Sequence, residues 1–207
     1  IYRIVPVGFR PRPQPRLRDA STAELVALLE HRNGWHRDTA SRLLYERQDR
    51  AAIEPLRKLA RSSEFPQSRA HAMESLAGLG AIDSADVVRG TDDRDARVRA
   101  HAVRLAERFA ADPSVAERLT QMTDDAELTV RYQLAFSLGA VPGAARDDAL
   151  ARLAVRDGGD SWVRLAILSS VADRPGDAFR RLAGEPALRN SSHGHTLLAT
   201  LATQIAA

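Results

Sequence analysis

The chain has 207 residues, 44% hydrophobic but only 5% aromatic, so any core must be built mostly from Leu, Ala and Val. Thirty Lys and Arg against 27 Asp and Glu leave a net charge of +3; Lys58 is the sole lysine, and the pI near 9.9 reflects arginine chemistry rather than a large basic excess, weak support for nucleic-acid binding. The absence of cysteine excludes disulfides, thiolate metal sites, a cysteine nucleophile and covalent haem attachment within these residues, and no apolar run approaches the roughly 18 residues of a membrane span.

Residues 1–9, IYRIVPVGF, are a short β-favouring run in Tyr2, Ile4, Val5 and Val7, closed by Pro6 and Gly8. They read as the end of a preceding domain. Residues 10–20 are a Pro/Arg-rich linker, with Pro11, Pro13 and Pro15 favouring an extended, stiff connector. The chain opens on Ile1 without a methionine, which suggests a piece of something longer, and no signal peptide is visible.

Residues 21–207 read as one helical repeat domain. Ser21-x-x-Glu24 is a capping box before Leu25, Leu28 and Leu29, and Asn33-Gly34 ends that helix. Equivalent apolar residues then recur in the first helix of each unit: Leu25, Leu56, Val87, Leu119, Leu150 and Leu182, at intervals of 31 or 32. The second helices open on arginines at a matching period: Arg37, Arg69, Arg99, Arg131 and Arg164, spaced 32, 30, 32 and 33. Ala40, Ala72, Ala102, Leu134 and Ile167 follow each arginine by three residues and line the packing face. Helix pairs repeating at this period predict an all-α fold, an α-solenoid of about six helix pairs. The last second helix, roughly 195–205, has no arginine at the expected place, as suits a terminal unit or a stripe docked on a further domain.

Asp93 and Asp125 each precede a repeat arginine by six residues and can bond it or a neighbouring unit, giving a ladder of charge-assisted hydrogen bonds. Ser63 and Gly158 stand at the equivalent places before Arg69 and Arg164. The alternative is a strip of guanidinium groups for phosphates or carboxylates. Trp35-x-Arg37 and Trp162-x-Arg164 match in position; a Trp there either fills a gap at the helix start or anchors a partner. His71 and His101 recur in the identical Arg-Ala-His-Ala of adjacent units and are candidates for partner contact, with too few ligands for a metal. His193-x-His195 is a weak metal candidate, while His31 and His36 flank a turn as helix caps. The acid pairs Asp92-Asp93, Asp124-Asp125 and Asp147-Asp148 suit turns and helix starts, and no nucleophile elbow, phosphate loop or zinc-protease motif is present.

The stretch DDRDARVRAHAVRLAERF at 92–109 resembles HEAT or the shorter bilin-lyase-type repeats. Together, IYRIVP, the proline linker, ELVALLEHRNGWHRDTASRLLYER at 24–47 and the RAHA repeats are similar to a family of multidomain membrane-bound dehydrogenases of planctomycetes and verrucomicrobia. That resemblance implies a β-propeller ending in residues 1–9, this repeat region, then a cytochrome c-type haem domain downstream. It implies export to the periplasm or cell envelope, with a cytoplasmic setting left open. No cofactor belongs to this chain on that view; haem sits only in the downstream domain. The expected role is a non-catalytic scaffold whose partner is protein, either flanking domains or another chain. Two alternatives are a nucleic-acid binder like HEAT-like DNA glycosylases, against which interleaved acids argue, and a bilin-lyase-like enzyme or chaperone.

Overall fold

The computed structural model describes residues 4–10 and 16–206. Residues 4–10 form no strand: the Phe9 amide donates to the Pro6 carbonyl at 3.1 Å, closing a turn in which Gly8 adopts a φ of +81°. A strand needs a paired edge, and the β-favouring side chains of Ile4 and Val7 are fully exposed here. Tyr2 and the prolines at 11, 13 and 15 lie outside the described residues.

From Leu17 onward the chain is a succession of helix pairs. They are α1 (Thr22–Leu28) with α2 (Gly34–Arg47), α3 (Ile53–Ser62) with α4 (Pro66–Gly78), and α5 (Ser84–Gly90) with α6 (Ala96–Ala106). Then come α7 (Pro113–Gln121) with α8 (Leu128–Ser137), and α9 (Ala144–Asp157) with α10 (Ser161–Ser170). The last unit departs from the pattern: α11 (Pro175–Ala183) is followed by a single turn, α12 (Pro186–Arg189), and only then by α13 (Ser192–Ala206). Among the described residues no helix is long and apolar enough to cross a membrane.

Local chemistry sets these boundaries. The Ser21–Glu24 capping box is formed in both directions, and the side chains of Asn33, Asp83, Asp95, Asp112 and Asp160 each accept an amide hydrogen bond at a helix start. Pro66, Pro113, Pro175 and Pro186 occupy first helical positions, where the missing N–H costs nothing. The extra turn in the last unit brings α12 hard against α13, since a side chain at Gly194 would place its Cβ 2.0 Å from the Leu188 carbonyl oxygen.

Successive second helices pack side by side, α2 on α4, α4 on α6, α6 on α8 and α8 on α10, with a parallel row of first helices behind them. Between the rows runs one apolar core. Leu25, Leu56, Val87, Leu119, Leu150 and Leu182 are all buried in it, as are Ala40, Ala72, Ala102, Leu134 and Ile167. Each unit alone has one face to bury, and stacking buries it against the next, which makes the molecule an α-solenoid. Burying a leucine contributes roughly 2 kcal/mol, so every internal unit is held from both sides.

Candidate functional site

The repeat arginines lie where each second helix begins, and three of them are bonded alike. Arg69 Nη1 donates to the Ser63 carbonyl at 2.8 Å, six residues upstream, while Nε and Nη2 fork onto Asp93 at 2.6 Å each. Arg99 bonds the Asp93 carbonyl at 2.9 Å and forks onto Asp125 at 2.7 and 2.8 Å. Arg131 bonds the Asp125 carbonyl at 2.6 Å and forks onto Asp157 at 2.7 and 2.8 Å. Each guanidinium therefore ties its own turn to the carboxylate of the following unit. Asp93 and Asp125 also accept the amides of Asp95 and Glu127, fixing the turns that carry them.

These clamps are largely buried, with side-chain exposures of 4% and 11% for Arg69 and Asp93. The hydrogen bonds to Asp93, Asp125 and Asp157 raise the pKa of the three guanidinium groups. At Asp125 burial favours protonation, but the Arg99 hydrogen bonds, the Glu127 amide and the two positive charges outweigh it and hold the carboxyl below its ordinary range. Asp157 is a partner that the spacing argument missed. It closes α9 one residue before Gly158, the position counted back from Arg164.

At the two ends the same arginine has no carboxylate. Arg37 Nη1 donates to the His31 and Arg32 carbonyls, and Arg164 Nη1 to those of Gly158 and Gly159, at 2.6 and 3.0 Å. Ser63 stands where Arg37 would find its acid, and its hydroxyl is engaged by Glu30 at 2.5 Å. In the last unit His195 takes over the local half of the bond: its Nε2 donates to the Arg189 carbonyl, again six residues upstream, at 2.6 Å. His193 Nε2 lies 3.2 Å from the Ser191 hydroxyl. Among the described residues no three His, Asp or Glu side chains come together as metal ligands.

A second set of arginines, on the first helices, also escaped the sequence reading. Arg118 of α7 reaches back to Thr91 at 2.8 Å and Asp92 at 2.5 Å, and Arg152 of α9 to Thr123 at 3.1 Å and the Thr120 carbonyl at 2.8 Å. The signal was the recurring Thr-Asp-Asp at 91–93 and 123–125, whose third member serves the other row.

The outer face of α2, α4, α6, α8 and α10 carries the remaining candidates. Trp35 and Trp162 are 59% and 66% exposed, and among the described residues neither indole N–H has a protein acceptor, so the gap-filling expectation does not hold. Each stands two residues after an Asn or Asp cap whose side chain accepts the Trp backbone amide. His71 and His101 wall a mostly apolar groove of about 290 Å³ between α4 and α6, opened by the small Ala70 and lined also by Pro66 and Val98. Burial lowers both imidazole pKa values; His71 faces Asp38 at 3.6 Å, and His101 Nε2 is 3.1 Å from Glu74 but out of line for a hydrogen bond. Arg104 also engages Glu74. Farther along, Leu128, Phe136 and Leu165 are exposed, with Tyr132 and Phe136 in edge-to-face contact at 5.2 Å.

Residues 22–103 match the family model of HEAT repeats. No curated protein sequence matches the chain. Among solved structures, an engineered protein superposes with a TM-score of 0.54 at 18% identity, over 88% of this chain and 97% of its own. A designed armadillo repeat protein in complex with the peptide (KR)4 gives 0.54 at 15% identity, over 89% and 99%. Another designed armadillo repeat protein gives 0.53 at 17% identity, over 89% and 100%. Residues 22–103 are thus similar to HEAT repeats, and the described chain as a whole has a stacked-helix α-solenoid fold like that of these repeat proteins.

Proposed function

We propose that this chain is a non-catalytic scaffold that presents the outer face of α2, α4, α6, α8 and α10 to a protein partner. In a longer protein it also holds flanking domains at fixed separation, as a spacer between a dehydrogenase-like propeller and a haem domain in the periplasm or cell envelope. The observation that carries the scaffold reading is the set of large side chains left in solvent on that face, Trp35, Phe136, Trp162 and Leu165, on a stack whose middle helices α4, α6 and α8 are locked by buried clamps. A designed armadillo repeat protein of the same fold in complex with the peptide (KR)4 supports it. Rigidity supports the spacer role, since each clamp fixes one unit on the next. A phosphate-binding strip loses support because Arg69, Arg99 and Arg131 already spend their Nε and Nη2 donors on carboxylates.

Deleting residues 94–125 removes one whole period and joins Asp93 to Ala126, which keeps the Arg69–Asp93 and Arg131–Asp157 clamps intact. Such a variant should still melt cooperatively, while the parent protein loses transfer between its flanking domains. A shortened parent that folds and keeps full electron-transfer activity overturns the spacer role.

A further inference from the structure

Three times along the molecule the Nε–Nη2 edge of a repeat guanidinium is filled by a carboxylate from the next unit, at 2.6–2.8 Å. Arg164 repeats the local half of that arrangement and stops there. Counting 26 residues on, the step from Arg131 to Asp157, arrives at Asn190 instead of an acid. Among the described residues Arg164 Nε and Nη2 have no protein partner, and neither is sealed from solvent. Arg37 differs, because its Nε is buried without a partner, so only the Arg164 edge admits an incoming group.

Exposed apolar side chains share α10 with Arg164, while His193 lies against Gly158 in the turn that Arg164 bonds. Trp162 and Leu165 stand one turn apart on the exposed side of α10, and the Tyr132–Phe136 ring pair lies on α8 next to it. The equivalent face of α4 and α6 instead carries Glu74, Arg97 and Arg104. A ligand for this end must therefore bring apolar surface and one negative charge. The charge it must bring is the one the same edge already holds at Asp93, Asp125 and Asp157.

We propose that the start of α10, with α8 beside it, docks an acidic–apolar segment of a protein partner. A side-chain carboxylate forks onto Arg164 Nε and Nη2, and an adjacent aromatic or aliphatic side chain lies across Trp162 and Leu165. This deepens the scaffold reading and rests on it. Complementarity of charge selects the occupant: a guanidinium edge stripped of its carboxylate accepts Asp or Glu and repels Lys or Arg.

The substitution Trp35→Phe leaves Trp162 as the single tryptophan, and its emission reports the site in the full chain. The probes are a short peptide alternating Glu with Leu and Phe, the same peptide with Gln or Lys for Glu, and duplex DNA. The Glu peptide should shift the emission saturably, with the Gln peptide roughly tenfold weaker and the Lys peptide silent. Arg164→Gln should erase the preference for Glu over Gln. Leu165→Glu, at an exposed position that the core does not use, should weaken the Glu peptide while helix content and melting stay unchanged. Equal affinity for Glu and Gln peptides, a preference that survives Arg164→Gln, no response to the Glu peptide, or tighter binding of the Lys peptide or DNA overturns the site. Binding of the Glu peptide that both variants leave intact sinks this site but keeps the scaffold, since the contact then lies elsewhere on the face.

Discussion

Arg99 and Arg164 hold the same place in their repeats, yet the first is enclosed between two units and the second has one edge open. Arg99 bonds the Asp93 carbonyl on one side and forks onto Asp125 on the other, with both ionic side chains largely buried. Arg164 makes only the carbonyl bonds. The difference teaches that one residue type does two jobs here, closing a turn locally and welding neighbours together, and that the second job ends where the next unit departs from the repeat. Truncation should separate them. Arg99→Ala strands the buried Asp125 carboxylate and should cost about 3 kcal/mol in urea unfolding. Arg164→Ala gives up bonds to neutral carbonyls and should cost about 1 kcal/mol. Equal losses would mean that the interior carboxylates add nothing to the weld.

Much of the fold was legible because it rests on a few positions that cannot vary freely. Leu25 and its five successors must fill the same hole between helix rows, and a chain that repeats a shape must repeat the residue that packs it. The clamp was only half legible. Looking six residues upstream of each arginine found the carbonyl partner's position, but the carboxylate there serves the preceding unit's arginine, a relation that needs the stacking geometry. Asp157 was missed because α9, 14 residues long, carries its acid on the last helical turn and leaves Gly158 in the turn itself. A forward count of 26 from Arg131, the step from Arg99 to Asp125, would have found it. The matched Trp-x-Arg motifs were visible from the start, but that these two arginines lack a carboxylate becomes legible only once the forward step is known, when the count of 26 from Arg37 and Arg164 lands on Ser63 and Asn190.

Acid should expose the same contrast. Asp125 has a depressed folded pKa, so its contribution is fully present above the unfolded value and is lost as pH falls through the folded one. His71 and His101, held neutral by burial, add a limb of the same sign at higher pH, because the unfolded chain takes up those protons first, starting near pH 6.5. Stability measured from pH 7 downward should thus fall in two stages. His71→Gln with His101→Gln should shrink the first stage, which His36 shares, and Asp125→Asn should shrink the second, which Asp49, Asp95 and Asp112 share, while lowering stability at neutral pH. A curve unchanged by either substitution would remove these groups as the source.

If the interior clamps are there for register more than for strength, apolar replacement of a whole pair should be tolerated. Arg131→Met with Asp157→Leu removes both charges at once, and the double variant should unfold within about 1 kcal/mol of the parent, far closer than Arg131→Met alone. A double variant as unstable as the single one would show that the forked hydrogen bonds contribute strength which apolar packing cannot replace.

The smallest expected effect comes from extending the ladder by one rung. Asn190→Asp places an acid at the sequence step that Asp157 holds relative to Arg131, as a candidate occupant of the open Arg164 edge. Arg164 is partly in solvent and α12 intervenes in this unit, so the gain should be only about 0.5 kcal/mol, the scale of an exposed pair. Its value lies in the competition it sets up: an internal carboxylate and a partner's carboxylate cannot both fork onto one guanidinium. The same substitution should therefore add slightly to melting temperature and abolish the preference for the Glu peptide over its Gln counterpart. Added stability with the preference retained would place the peptide's charge on some other arginine and leave the Arg164 edge a structural end alone.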